Sequence, residues 1–166
     1  MTATETVAVR DHAPTATERY SRILLATEGR KIPEAAIARV VELADPAGAT
    51  AHVFCIARIH GVSFGLQSPG LMPNKRERDD AKENVTRAVK RLKKKGVYAE
   101  GHILATRKST KRIIQEAAKE GCEAIVMAAD PDRNRFISDF LWEQEPQRVR
   151  RRAKVPVFLV VDDTGS

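Results

Sequence analysis

The cations Arg107, Lys108, Lys111 and Arg112 stand at the start of a helix that the apolar spacing predicts over Thr110 to Glu120. There each opposes the positive end of the helix dipole, at about 0.3 to 1 kcal/mol if nothing compensates. Arg30, Lys31, Arg133 and Arg135 fall in turns on the same expected edge, with Thr27 and Glu28 just before Arg30. Such a set could hold an anion by side-chain cations, a phosphate or a nucleotide tail. The competing reading is that Glu28, Asp130 and Asp132 neutralise it. The site expected from these residues is Thr27, Glu28, Arg30, Arg107, Lys108, Lys111, Arg133 and Arg135, as ligand-binding and not catalytic groups.

Other reactive residues suggest no chemistry. Asp130 and Asp132 flank Pro131, as turn aspartates commonly do. His52, His60 and His102 are scattered without metal-ligand spacing and without a nucleophile arrangement, so core or edge roles are expected. Cys55 and Cys122 each lie in an apolar run, not in a Cys-x-x-Cys pair, and read as packing residues. Neither G-x-G-x-x-G nor G-x-x-x-x-G-K-S/T occurs, which excludes a dinucleotide fingerprint and a P-loop. The chain is expected to be no enzyme and to hold no metal.

The elements that must position these residues alternate. Strands are expected at Arg22 to Ala26, Thr50 to Ala57, Val97 to Thr106, Ala124 to Ala128 and Pro156 to Val161. Helices are expected at Pro33 to Ala44, Asn74 to Lys95, Thr110 to Glu120 and within Ser138 to Ala153. In the second helix Ala81, Val85, Ala88, Val89 and Leu92 share one face. Gly48, Gly96 and Gly121 each precede the next apolar run. This rhythm specifies an α/β fold, a doubly wound parallel sheet with helices on both faces. Ligands of such a sheet sit outside the carboxyl ends of its strands. The third strand carries Glu100 and His102 like a guarded edge, while Val157, Phe158, Leu159, Val160 and Val161 form an unguarded apolar one. A homodimer through that last strand is expected.

The 166 residues carry 29 Lys plus Arg against 22 Asp plus Glu, a net charge of +7, with 42% hydrophobic residues. That suits one ordinary globular core and contains no run long enough to span a bilayer. Residues 1–20 lack periodicity and read as a disordered arm, with one domain over 21–163. The Gly-rich stretch from Ile59 to Pro73 reads as a flap beside the ligand edge, and Phe136, Phe140 and Trp142 as packing for the last helix. Two cysteines and the absence of an export signal at the N-terminus point to the cytoplasm.

Ile23-Leu24-Leu25-Ala26-Thr27-Glu28-Gly29 resembles the first strand and turn of the universal stress protein family. Ile113, Ala117 and Ala124 to Ala128 resemble its third helix and fourth strand, and Arg148, Val149, Ala153, Pro156, Val157 and Val161 its closing segment. The resemblance covers about residues 20–163. It implies strand order 3-2-1-4-5, a Rossmann-like fold of the adenine-nucleotide α-hydrolase type, and dimers through the last strand. Nucleotide-binding members carry G-x2-G-x9-G-S/T after the fourth strand. Here Ala128 and Pro131 stand at the first two glycines, and Glu143 and Gln144 near the last pair. A proline has no N–H to give, and a carboxylate repels phosphate. No cofactor is therefore expected, with ATP or AMP disfavoured. The S-G-G-x-D-S turn of related pyrophosphatases is likewise missing from Ala26 to Arg30.

Two further basic clusters stand out. Residues 75–95 hold ten Lys/Arg against four Asp/Glu, and 147–154 hold five against none. They close helices, where cations favourably oppose the dipole. The reading is a non-catalytic, dimeric regulator or adaptor of the stress response with no family-type ATP grip. The alternatives are a nucleotide or small-anion module using the cationic rim and, more weakly, a nucleic-acid- or ribosome-associated protein.

Overall fold

A computed structural model describes residues 18–58, 75–129 and 145–161. Five strands and four helices alternate along them. They are β1 (Arg22–Thr27), α1 (Glu34–Leu43), β2 (Thr50–Arg58), α2 (Lys75–Lys94) and β3 (Tyr98–Thr106). Then follow α3 (Ser109–Lys119), β4 (Ala124–Ala129), α4 (Glu145–Arg152) and β5 (Val157–Val161). The strands form one parallel sheet in the order β3-β2-β1-β4-β5, with β3 and β5 at its edges.

The continuous apolar run of β1 is explained by its central place. Ile23 and Leu25 pack with Ala36, Ile37 and Val40 of α1 and with Ala81, Val85, Ala88 and Leu92 of α2. Leu24 and Ala26 face the other way, toward Ile113 and Ala117 of α3 and Val149 of α4. Both faces are dry, so alternation would leave a polar side chain buried. Ile23, Leu24, Ile125 and Leu92 are fully buried, each contributing about 1.5 to 3 kcal/mol. Val89, expected on the same stripe of α2, is only half-buried.

The helix ends follow from two glycines. Gly96 and Gly121 adopt φ of 85° and 63°. The residue after each donates its N–H five positions back, Val97 to Leu92 at 3.0 Å and Cys122 to Ala117 at 2.8 Å. This is the closure that a left-handed residue permits.

Tyr20 joins the folded unit, one position before the expected start. Its N–H donates to the Leu43 carbonyl at 2.8 Å and its ring lies 6.0 Å from Phe158. The last helix, sought within Ser138 to Ala153, is seen from Glu145. The arm at 1–17, the flap at 59–73, and Phe136, Phe140 and Trp142 lie outside the described residues.

Candidate functional site

The turn that leaves β1 carries the first part of the expected site. Thr27 and Glu28 are buried, 2% and 1% exposed, at the carboxyl end of the central strand. The Thr27 hydroxyl donates to the Arg30 carbonyl at 2.6 Å, and Arg30 Nε pairs with Glu28 Oε1. Arg30 is therefore committed to its own turn.

Side chains of α2 hold this turn from 52 to 55 residues away in sequence. Asn84 Oδ1 accepts the Ile32 N–H at 2.9 Å while Nδ2 donates to the Arg30 carbonyl at 2.9 Å. Arg87 donates to the Ile32 carbonyl and reaches Glu34 at 3.2 Å. Between the turn, the end of β2 and α2 as far as Arg87 lies a cleft of about 510 Å³. Ile56 and Ala57 line it, together with the cations Arg30, Lys31 and Arg87 and the acids Glu77, Asp80 and Glu83. The volume suits a small ligand, but its charges are mixed.

The rim expected around one ligand edge is divided. Arg107, Lys108 and Lys111 are exposed at the start of α3, and none of them lines this cleft. The cleft sits on the face that α2 covers, whereas α3 covers the other. Arg133, Arg135, Asp130 and Asp132 lie outside the described residues. A carboxylate absent from the sequence reading meets the start of α3. Glu145 Oε2 accepts the Thr110 hydroxyl, and its Oε1 lies 3.2 Å from Arg148. It supplies negative charge where the cations crowd a positive helix end.

Asn84, Arg87 and Glu145 are the residues that sequence reasoning missed. A signal existed for each. Asn is a poor helix former in the middle of α2, and the Glu145-Pro146 pair is a helix start.

The universal stress protein family model matches residues 19–161, nearly the whole of what is described. The chain belongs to the universal stress protein family. Among curated proteins, none matches it. Solved universal stress proteins share its fold. One from Archaeoglobus fulgidus in complex with dAMP is 22% identical, with a TM-score of 0.60, over 84% of this chain and 97% of the other. UspA from Lactobacillus plantarum is 16% identical, with a TM-score of 0.64, over 86% and 98%. A universal stress protein in complex with cAMP is 17% identical, with a TM-score of 0.58, over 87% and 98%. The strand order that the resemblance implied is the observed one.

Proposed function

We propose that this universal stress protein is a non-catalytic, dimeric regulator that does not hold ATP in the manner of the family's glycine motif. The observation that carries the reading is the start of α4, the helix that follows the position of that motif. It opens with Glu145 and Pro146, the carboxylate turned to Thr110 and Arg148 and the proline buried without an N–H. A phosphate there would meet a negative group and one donor fewer. With Ala128 and Pro131 at the positions of two motif glycines, little remains of a main-chain cradle.

Calorimetry with Mg-ATP tests this. No heat and no thermal shift at millimolar nucleotide is the expected result. Sub-millimolar binding, with the triphosphate lying along Ala128 to Gln144 in a crystal, overturns the reading.

A second reading has its own support. The cleft beside Arg30, Lys31 and Arg87 offers an aliphatic wall and a few cations, enough for a nucleoside monophosphate or a small anion. The solved relatives in complex with dAMP and cAMP support it. AMP binding that Lys31→Glu weakens about tenfold or more, with ATP binding no better than AMP, would favour this reading. A nucleic-acid role has less support, because the cationic ends of α2 and α4 lie on opposite faces of the sheet.

A further inference from the structure

Away from the cleft, at the amino ends of β2 and β3, five titratable side chains gather on the face that α3 covers. The β2–β3 register sets His52 opposite Glu100 and Phe54 opposite His102. Glu116 and Glu120 follow one another by a turn at the end of α3. His102 Nδ1 and Glu116 Oε1, 2.8 Å apart, form one pair, with the His102 ring 5.5 Å from that of Phe54. The other three converge differently. His52 Nδ1 lies 3.2 Å from Glu100 Oε1 and 3.8 Å from Glu120 Oε2, and one donor atom from each residue falls within 4.8 Å of the other two.

We propose that His52, Glu100 and Glu120 bind a divalent transition cation of the zinc class, through one imidazole nitrogen and two carboxylate oxygens, with water completing the shell. One nitrogen and two oxygens at such separations suit a roughly tetrahedral ion with an open position. The orientation is prepared by the neighbours. Lys119 meets the other oxygen of Glu120 at 3.4 Å and Arg22 holds its carbonyl at 2.9 Å, so Oε2 faces His52. His52 is only 8% exposed, which fixes its ring, while the Glu100 side chain is 54% exposed and gives entry.

The charges favour a dication. Two carboxylates face a single imidazole, whose Nε2 is buried and, among the described residues, without a hydrogen-bond partner. A divalent ion at Nδ1 sets two positive charges against the two carboxylates and leaves the N–H at Nε2. The missing acceptor behind Nε2 also limits affinity, since such outer partners are worth about 10- to 100-fold. Binding in the micromolar range is expected.

The bound ion would tie edge strand β3, inner strand β2 and the end of α3 together. The test uses tag-free full chain, freed of metal by chelation and titrated with zinc chloride by calorimetry and thermal melting. One ion per chain and a rise in Tm of roughly 5 °C at a hundredfold excess over Kd are expected. Cobalt(II) should give visible d–d bands in the same place. Glu100→Gln, at an exposed side chain, should cut affinity at least about tenfold and leave the metal-free Tm unchanged. His102→Gln, in the neighbouring pair, should bind as the parent does. No heat with zinc, or equal binding by Glu100→Gln, overturns the proposal.

Discussion

Glu28 sits at the end of β1 with its carboxylate beside Arg30, and its charge reaches Cys55, which pairs with Thr27 in the β1–β2 register. Burial first and this charge second push the Cys55 thiol up from 9.0 to about 11. Burial, then Glu120, pushes Cys122 to about 12. Both thiols stay protonated in the folded protein at neutral pH and are poor nucleophiles. A thiol reagent at pH 8 should label neither in native buffer and both in guanidinium chloride. Rapid native labelling would contradict the burial described. The sign of the linkage follows from the same shifts. Below about pH 9 the thiols are protonated whether the chain is folded or not. Above it, the unfolded chain releases protons that the folded one keeps, so stability falls as pH rises toward the folded values. Urea unfolding between pH 8 and 10.5 should show that decline. At this scale the sequence named the Thr27-Glu28-Arg30 turn, and the structure buries Thr27 and Glu28 in it. The sequence did not bring His52 to Glu100 and Glu120, or His102 to Glu116, because only strand register and the end of α3 make them neighbours.

Among the elements, α2 and β3 approach closely at Gly101. An added Cβ at Gly101 would stand 2.2 Å from Val85 Cγ1, and Val85 is both buried and stiff at its branch. Gly101→Ala should therefore cost about 1 to 3 kcal/mol by overpacking. The pair should be coupled, with Val85→Ala costing less in that background than alone, as a double-mutant cycle in urea would measure. Additive losses would show that the helix stands further from the strand. Most elements were legible before the structure. Apolar runs such as Ile23 to Ala26 and the 81, 85, 88, 92 stripe state which surfaces must be dry, and the alternation of strands with helices calls for a parallel sheet. The partition of the cationic residues was not legible. Their spacing says that each ends or begins a helix, but only the crossover that puts α3 opposite α2 separates Arg107, Lys108 and Lys111 from the cleft beside Arg30.

For the whole molecule, the place of β5 at the sheet's edge matters most. The Phe158 ring is taken up within the chain, against Tyr20 and under the Arg39 guanidinium at 5.3 Å. Self-association would thus rest on the strand backbone and on Val157, Leu159, Val160 and Val161, of which Val161 is 45% exposed. Light scattering after size exclusion should report twice the chain mass. Val161→Lys, which charges that edge, should shift it to the single-chain mass with the fold intact. A parent protein already monomeric at high micromolar concentration would remove the dimer from the account. Among the described residues no helix is long and apolar enough to cross a membrane.

The Val85–Gly101 contact falls near the midpoint of α2, whose 20 residues run about 30 Å. Glu77 and Asp80, on the near arm, border the cleft; Lys93 and Lys94, on the far arm, are exposed to solvent. The lack of a side chain at position 101 is what admits the Val85 methyl there, so the seat of this helix on the edge strand depends on one missing carbon.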